Sequence, residues 1–167
     1  LEQERDLGRF PKTLVFAVND LPHISHADDL VNMLRDEFGR GDAFVGKITG
    51  SPTVDRPLQR IKEFRNRPLP GVVVTVDMLT TGVDIPRIEN LVFLRPVKSR
   101  ILFAQMLGRG TRKCAEINKT HFTVYDCFGG SLFEYFRNTT DFTADPPSKP
   151  TRNIHEIVED ILSLIHI

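Results

Sequence analysis

Two hydrophobic periods alternate along this chain. Short apolar runs rich in β-branched residues occur at Lys12–Ala17, Ala43–Thr49, Gly71–Val76, Asn90–Leu94 and His121–Asp126. Each predicts a strand, and the density of apolar positions predicts burial on both faces. Between the runs the period lengthens to that of a helix. Ala27, Leu30, Val31 and Leu34 form a stripe behind a Ser25 cap that stops at Gly39 and Gly41. Leu58, Ile61 and Phe64 form a second stripe behind a Thr53 cap, closed by Pro68 and Pro70. Ser99 caps a third helix that carries Gln105 and Arg109, and a short helical turn is expected at Asp77–Thr81. Residues 1–10 are charged, lack a clear period and read as a linker with partial helical character.

Strands separated by helices of ten or more residues predict an α/β fold. Here that means a three-layer sandwich around a mainly parallel sheet over residues 11–130. The texture changes after Asp126. Gly129-Gly130 breaks the chain, Ser131–Phe136 reads as a short helix, and Asp145–Pro150 reads as a stiff extended linker. Asn153 then caps a stripe of Ile154, Ile157, Val158, Ile161, Leu162 and Ile165. Residues 131–167 are therefore expected to form a C-terminal extension ending in an amphipathic helix that must dock on something.

In an open parallel sheet, ligands sit beyond the carboxyl ends of the strands. Thr75, Gly82, Asp84 and a cluster of arginines all follow strand ends, so they are expected on one rim. The turn Thr81-Gly-Val-Asp84 needs a residue without a Cβ where backbone approaches a ligand. Gln105, Arg109 and Arg112 stand at i, i+4 and i+7, on one side of a helix or of its extension. No acid lies between Arg95 and Ala115, so Arg109 and Arg112 are suited to meeting phosphate.

Two stretches, Thr80-Thr-Gly-Val-Asp-Ile-Pro86 and Gln105-Met-Leu-Gly-Arg-Gly-Thr-Arg112, resemble motifs V and VI of superfamily 2 helicases and translocases. The wording of Thr75–Pro86 and Asn90–Arg100 is similar to the motor (R, or HsdR) subunit of type I restriction enzymes. The likeness spans roughly residues 12 to 128. It implies a RecA-like lobe of the P-loop NTPase type, with Lys12–Ala17 as the motif IV strand. It also implies that Arg109 and Arg112 act as arginine fingers on ATP and that Gln105 senses the nucleotide site. Gly82 and Asp84 would approach the nucleotide. Thr75 matches a position that contacts the nucleic-acid backbone, and Thr49 and Gly50 are expected to do likewise. The implied partners are double-stranded DNA, the first RecA-like lobe of the same chain, and the methyltransferase and specificity subunits.

Composition narrows this picture. Lys+Arg and Asp+Glu both number 22, so any nucleic-acid contact must use local patches. One patch is Arg56, Arg60, Lys62, Arg65 and Arg67, which serves equally well as a solvated helix face. The other is Arg95, Lys98, Arg100, Arg109, Arg112 and Lys113. Hydrophobic content of 40% over 167 residues supports one core. Two cysteines without metal-like spacing suit a reducing cytoplasm, and no stretch reaches the length of a membrane span. His23 and His26 lack a third ligand nearby, so no metal site is expected.

The sequence contains no Gly-x-x-x-x-Gly-Lys-Ser/Thr loop and no Asp-Glu-x-His box, so it carries half of an ATP site. Magnesium would be held by the other lobe. A chain opening at Leu1 and ending in apolar Leu164–Ile167 is expected to be part of something larger. Two alternatives stay open: a lobe of another superfamily 2 protein such as a repair helicase, and a non-catalytic α/β binding module.

Overall fold

A computed structural model describes residues 2–77, 79, 83–97 and 99–127. Gly82, most of the turn expected at Asp77–Thr81, Lys98 and the whole 131–167 extension lie outside the described residues.

Among the described residues, five strands form one sheet: β1 (Lys12–Phe16), β2 (Val45–Lys47), β3 (Val72–Thr75), β4 (Ile88–Phe93) and β5 (Thr123–Asp126). Their order is β2-β3-β1-β4-β5, and every pairing is parallel. The helices are α1 (Glu2–Leu7), α2 (His26–Phe38), α3 (Pro57–Asn66) and α4 (Arg100–Leu107). A 3₁₀ turn lies at Ala115–Ile117.

Strand periodicity divides the core in two. Leu14, Phe16, Val73, Leu91 and Phe93 face one side, where Phe64 of α3 and Phe103, Met106 and Leu107 of α4 cover them. Val15, Ala17, Val45, Val72 and Val74 face the other, under Ala27, Leu30 and Val31 of α2. The expected three-layer α/β sandwich is thus what the chain forms. Central strands β1 and β3 are buried at every position.

Several local expectations shift. α2 begins at its Ser25 cap, whose hydroxyl accepts from Asp28 N–H, and stops at Gly39 with φ 57°, a left-handed value that glycine adopts cheaply. α3 starts later than Thr53 predicts. Pro57 occupies its first turn, and Arg56, in the left-handed region, makes no side-chain cap. Leu58, in that same first turn, is 71% exposed, so the buried stripe is Phe64 with Ile61 beside it. A spacing of three residues says nothing about how far the sheet extends beneath a helix. α4 ends at Leu107, because Arg109 and Gly110 donate to carbonyls three residues back and tighten the chain into a turn. Arg109 is therefore beyond the helix.

Residues 2–7 are helical although they carry no apolar stripe, because polar ties dock them. Gln3 donates to Thr123 Oγ1 (3.3 Å) and accepts from Asn90 (3.1 Å). Glu4 receives Arg40 at 2.6 and 2.7 Å, and Arg9 meets Glu89 in a second two-pronged pair at 2.6 and 2.8 Å. Arg40 also stacks over Phe10 and Phe44.

Lys12 is 5% exposed at the start of β1. Its ammonium donates to the carbonyls of Pro68 (3.2 Å) and Pro70 (2.8 Å) and sits 4.7 Å from the Phe64 ring centre. Burial, aided by the nearby Arg87 charge, pushes its pKa down to about 8.

Two predictions follow from the packing and the burial. Phe64→Ala is expected to lower unfolding free energy by about 3–5 kcal/mol, against a change within about 0.5 kcal/mol for Leu58→Ala, in urea unfolding. For Lys12 the folded pKa lies below the ordinary 10.5, so the unfolded chain binds more protons between these values. The contribution of Lys12 to stability is therefore expected to rise from about pH 8 towards 10.5. The stability difference between wild type and Lys12→Met, measured across that window, checks the sign.

Candidate functional site

The loops beyond the carboxyl ends of the strands form the polar rim. Ser99 launches α4, its hydroxyl accepting from Leu102 N–H, and buries Phe103, Met106 and Leu107 against the sheet. That packing leaves Gln105 exposed and delivers the turn at Gly108–Gly110 beside the segment after β3.

Arg109 is partly buried and donates from Nη1 to the Val83 carbonyl. Burial lowers its pKa first and the Arg112 charge adds to this, while Asp84 opposes both. Arg112 lies further out. Its Nε stands 3.4 Å from Asp84 Oδ1, with the two side chains 60% and 51% exposed. An ion pair this open contributes roughly 0–1 kcal/mol. Arg112 can therefore change partners at little cost, whereas Arg109 is aimed by a backbone carbonyl. Between them, Gly110 packs so closely on Phe122 that a Cβ would overlap its ring.

Arg112 thus meets Asp84, and Arg109 reaches Val83 beside it, on the rim beyond the strand ends. Gln105 is exposed on α4, four residues before Arg109. Arg95, counted in the same basic patch, is held by Asp77 (2.7 Å) and the Val76 carbonyl (3.2 Å).

Two of the three candidate nucleic-acid residues are buried. Thr75 ends β3 at 0% exposure, its carbonyl accepting from Ala17 N–H at 2.8 Å. Thr49 is 1% exposed, and its hydroxyl donates to Asp20. Neither hydroxyl reaches the surface, because both lie at the ends of buried parallel strands beneath the loops. Gly50 is exposed, with open space where a Cβ would stand.

Sequence reasoning missed Asp20. It accepts from Ser25 Oγ (2.7 Å), Lys47 Nζ (3.0 Å) and Thr49, and Lys47 also meets Asp28 at 2.7 Å. Burial pushes the Asp20 carboxyl up, but the hydrogen bonds from Thr49, Ser25 and Lys47 together hold it below its ordinary value. Beside it lies a pocket of about 290 Å³ whose lining includes Asp20, Leu21, Ser25, Asp28 and Thr53. No sequence signal marked Asp20, since its partners come from two separate segments, Ser25 before α2 and Lys47 and Thr49 at the end of β2. Among the described residues no cluster of His, Cys, Asp or Glu could hold a metal ion.

Residues 6–114 match the family described as the helicase conserved C-terminal domain. The chain is 52% identical over 124 residues to the type I restriction enzyme EcoKI endonuclease subunit of Escherichia coli (strain K12). That alignment takes in 70% of this chain but 10% of the relative, so the chain spans about a tenth of the curated protein it resembles. Among solved structures, the fragment of a candidate HsdR subunit of a type I restriction enzyme from Vibrio vulnificus YJ016 superposes with TM-score 0.69 at 31% identity. It covers 87% of this chain and 28% of that one. Domain 2 of the DEAD-box helicase Mss116p, bound to an RNA duplex, shares the fold with TM-score 0.63 at 17% identity, over 99% of this chain and 67% of that one. A five-stranded parallel sheet with its arginine-bearing turn on the carboxyl rim agrees with these matches, and the chain belongs to the helicase conserved C-terminal domain family, in a form similar to the motor subunits of type I restriction enzymes.

Proposed function

We propose that this chain is the second RecA-like lobe of an ATP-dependent DNA translocase in the R subunit of a type I restriction enzyme. One observation carries the reading: Arg112 is exposed and loosely paired with Asp84, next to an Arg109 that is already aimed. Two guanidinium groups so arranged fit a triphosphate held by a neighbouring lobe. They present planar donors and fixed positive charge at low cost of release.

On this reading the lobe spans residues 11–130, and 131–167 is an extension that docks elsewhere in the parent protein. ATP, bound with magnesium by the first lobe, supplies the phosphoryl chemistry. Arg109 and Arg112 bind the phosphate oxygens and stabilise charge that develops there; Asp84 holds Arg112 until the lobes close. Gln105 reads the state of the site from the exposed face of α4, and Gly82 lets backbone approach the nucleotide. Closure and release then move this lobe along the DNA backbone. Gly50 offers its open backbone to phosphate. Thr49 and Thr75 support the contact loops from within, a role their burial favours over direct contact. The exposed basic side chains of α3 and its flanks add sequence-independent attraction to double-stranded DNA. Methyltransferase and specificity subunits would supply site recognition.

Three outcomes are expected. In the parent protein, Arg109→Ala and Arg112→Ala each lower DNA-stimulated ATP turnover by about 10³-fold or more, with DNA binding retained, in steady-state ATPase and DNA-binding assays. Intact turnover in both variants would favour a binding module instead. Gly110→Ala displaces the Phe122 ring and shifts the arginine turn, so it lowers turnover together with the melting temperature. The chain alone hydrolyses no ATP, and robust hydrolysis abolished by Arg109→Ala would refute the half-site reading.

A further inference from the structure

The arginine turn and the segment before β4 are joined a second time, by a residue outside both motifs. Lys119 Nζ donates to the Gly110 carbonyl at 2.6 Å and to the Pro86 carbonyl at 3.1 Å. Gly110 stands between Arg109 and Arg112, and Pro86 stands two residues after Asp84. One half-buried ammonium therefore grips the backbone of both functional loops.

Lys119 is itself held in place. Its N–H donates to the Cys114 carbonyl at 3.0 Å, and the chain reaches it through the 3₁₀ turn at Ala115–Ile117 and a left-handed Asn118. The same excursion is tied to the Pro86 side again, where Arg87 meets Glu116 at 2.5 Å. Phe122, three residues on, packs under Gly110.

Resting on the function proposed above, we infer that Lys119 is a positioning residue: it clasps the arginine turn to the Val83–Pro86 segment and so sets where Arg109 and Arg112 stand relative to a bound triphosphate. The reason lies in what each tie holds. Arg112 with Asp84 is a side-chain pair, which must part when Arg112 turns to phosphate. The Lys119 ties run to main-chain oxygens and involve neither guanidinium. They persist while the arginines change partners, so the loops keep their separation through the cycle. A charged donor on two carbonyls in a partly desolvated site is stronger than the open surface pair beside it.

The test uses the full-length parent protein and reads DNA-stimulated ATPase and thermal unfolding. Lys119→Met is expected to lower kcat between about tenfold and a hundredfold, the scale of a small misplacement of reacting groups. KM for ATP and DNA affinity stay near wild type, while the melting temperature falls by a few degrees as the two carbonyls lose their donor. Lys119→Arg, which still reaches both carbonyls, recovers most of kcat. Because the clasp acts through the arginines, Lys119→Met combined with Arg112→Ala is no slower than Arg112→Ala alone.

Unchanged kcat in Lys119→Met, with Arg112→Ala inactive, overturns the clasp and leaves the proposed function standing. A KM for ATP or a DNA affinity that shifts as far as kcat, or independent losses in the double variant, also overturns it. Intact turnover in both Arg109→Ala and Arg112→Ala removes the function and the clasp together. Should Lys119→Met fail to fold, the same comparisons are made with Lys119→Gln, whose shorter side chain reaches at most one of the two carbonyls.

Discussion

The central strands are covered on both faces, and the rest of the chain answers to that constraint. β1 and β3 present no position to solvent. Their alternate side chains belong to two separate apolar clusters, one under α3 and α4 and the other under α2. A sheet sealed in this way has no room for charged groups along its length. The cost of burying an unpaired charge confines chemistry to the strand ends, where the loops meet water. Lys12 illustrates the expense at the amino end of β1: it is accommodated by two carbonyls and a ring, and its pKa is still driven down.

On the carboxyl rim the charges fall into two kinds. Asp20 and Lys47 are sheltered, with side chains 6% and 14% exposed, and their bonds knit the ends of β1, β2 and the start of α2 into one unit. Breaking such a network leaves buried charge behind, so it holds the scaffold still. Arg112 and Asp84 are the opposite case, open to water and weakly coupled. Rigid charge next to releasable charge is what a lobe needs if it is to keep its shape while exchanging ligands. The proposed role of the arginines uses that difference, and the Lys119 contacts extend it, because main-chain ties do not compete with side-chain partners.

What could be read from the sequence was what short-range physics controls. Five apolar runs became five parallel strands, and Ser25 and Ser99 capped the helices they were expected to cap. That Arg109, Arg112 and Asp84 share one rim followed from their positions after strand ends. These features depend on residues within a few positions of one another, and local sequence carries them.

Other features needed the folded chain. α1 has no apolar stripe; its helix is held because Gln3 and Glu4 find partners at positions 90, 123 and 40, and Arg9 just beyond it meets Glu89. Leu58 stayed outside, in the first turn of a helix that buries only Phe64, and α4 stopped before Arg109 because the chain tightens into a turn there. Thr49 and Thr75 read as surface contacts, yet strand-end burial and the Asp20 carboxylate took them inward. Asp20 and Lys119 gave no signal at all. The sequence alone determined which stretches become strands and helices and which side chains could bear the chemistry, since periodicity and caps are local. Only the tertiary structure decided which of those groups reach water and which carbonyls and carboxylates they meet, since those partners lie far apart along the chain.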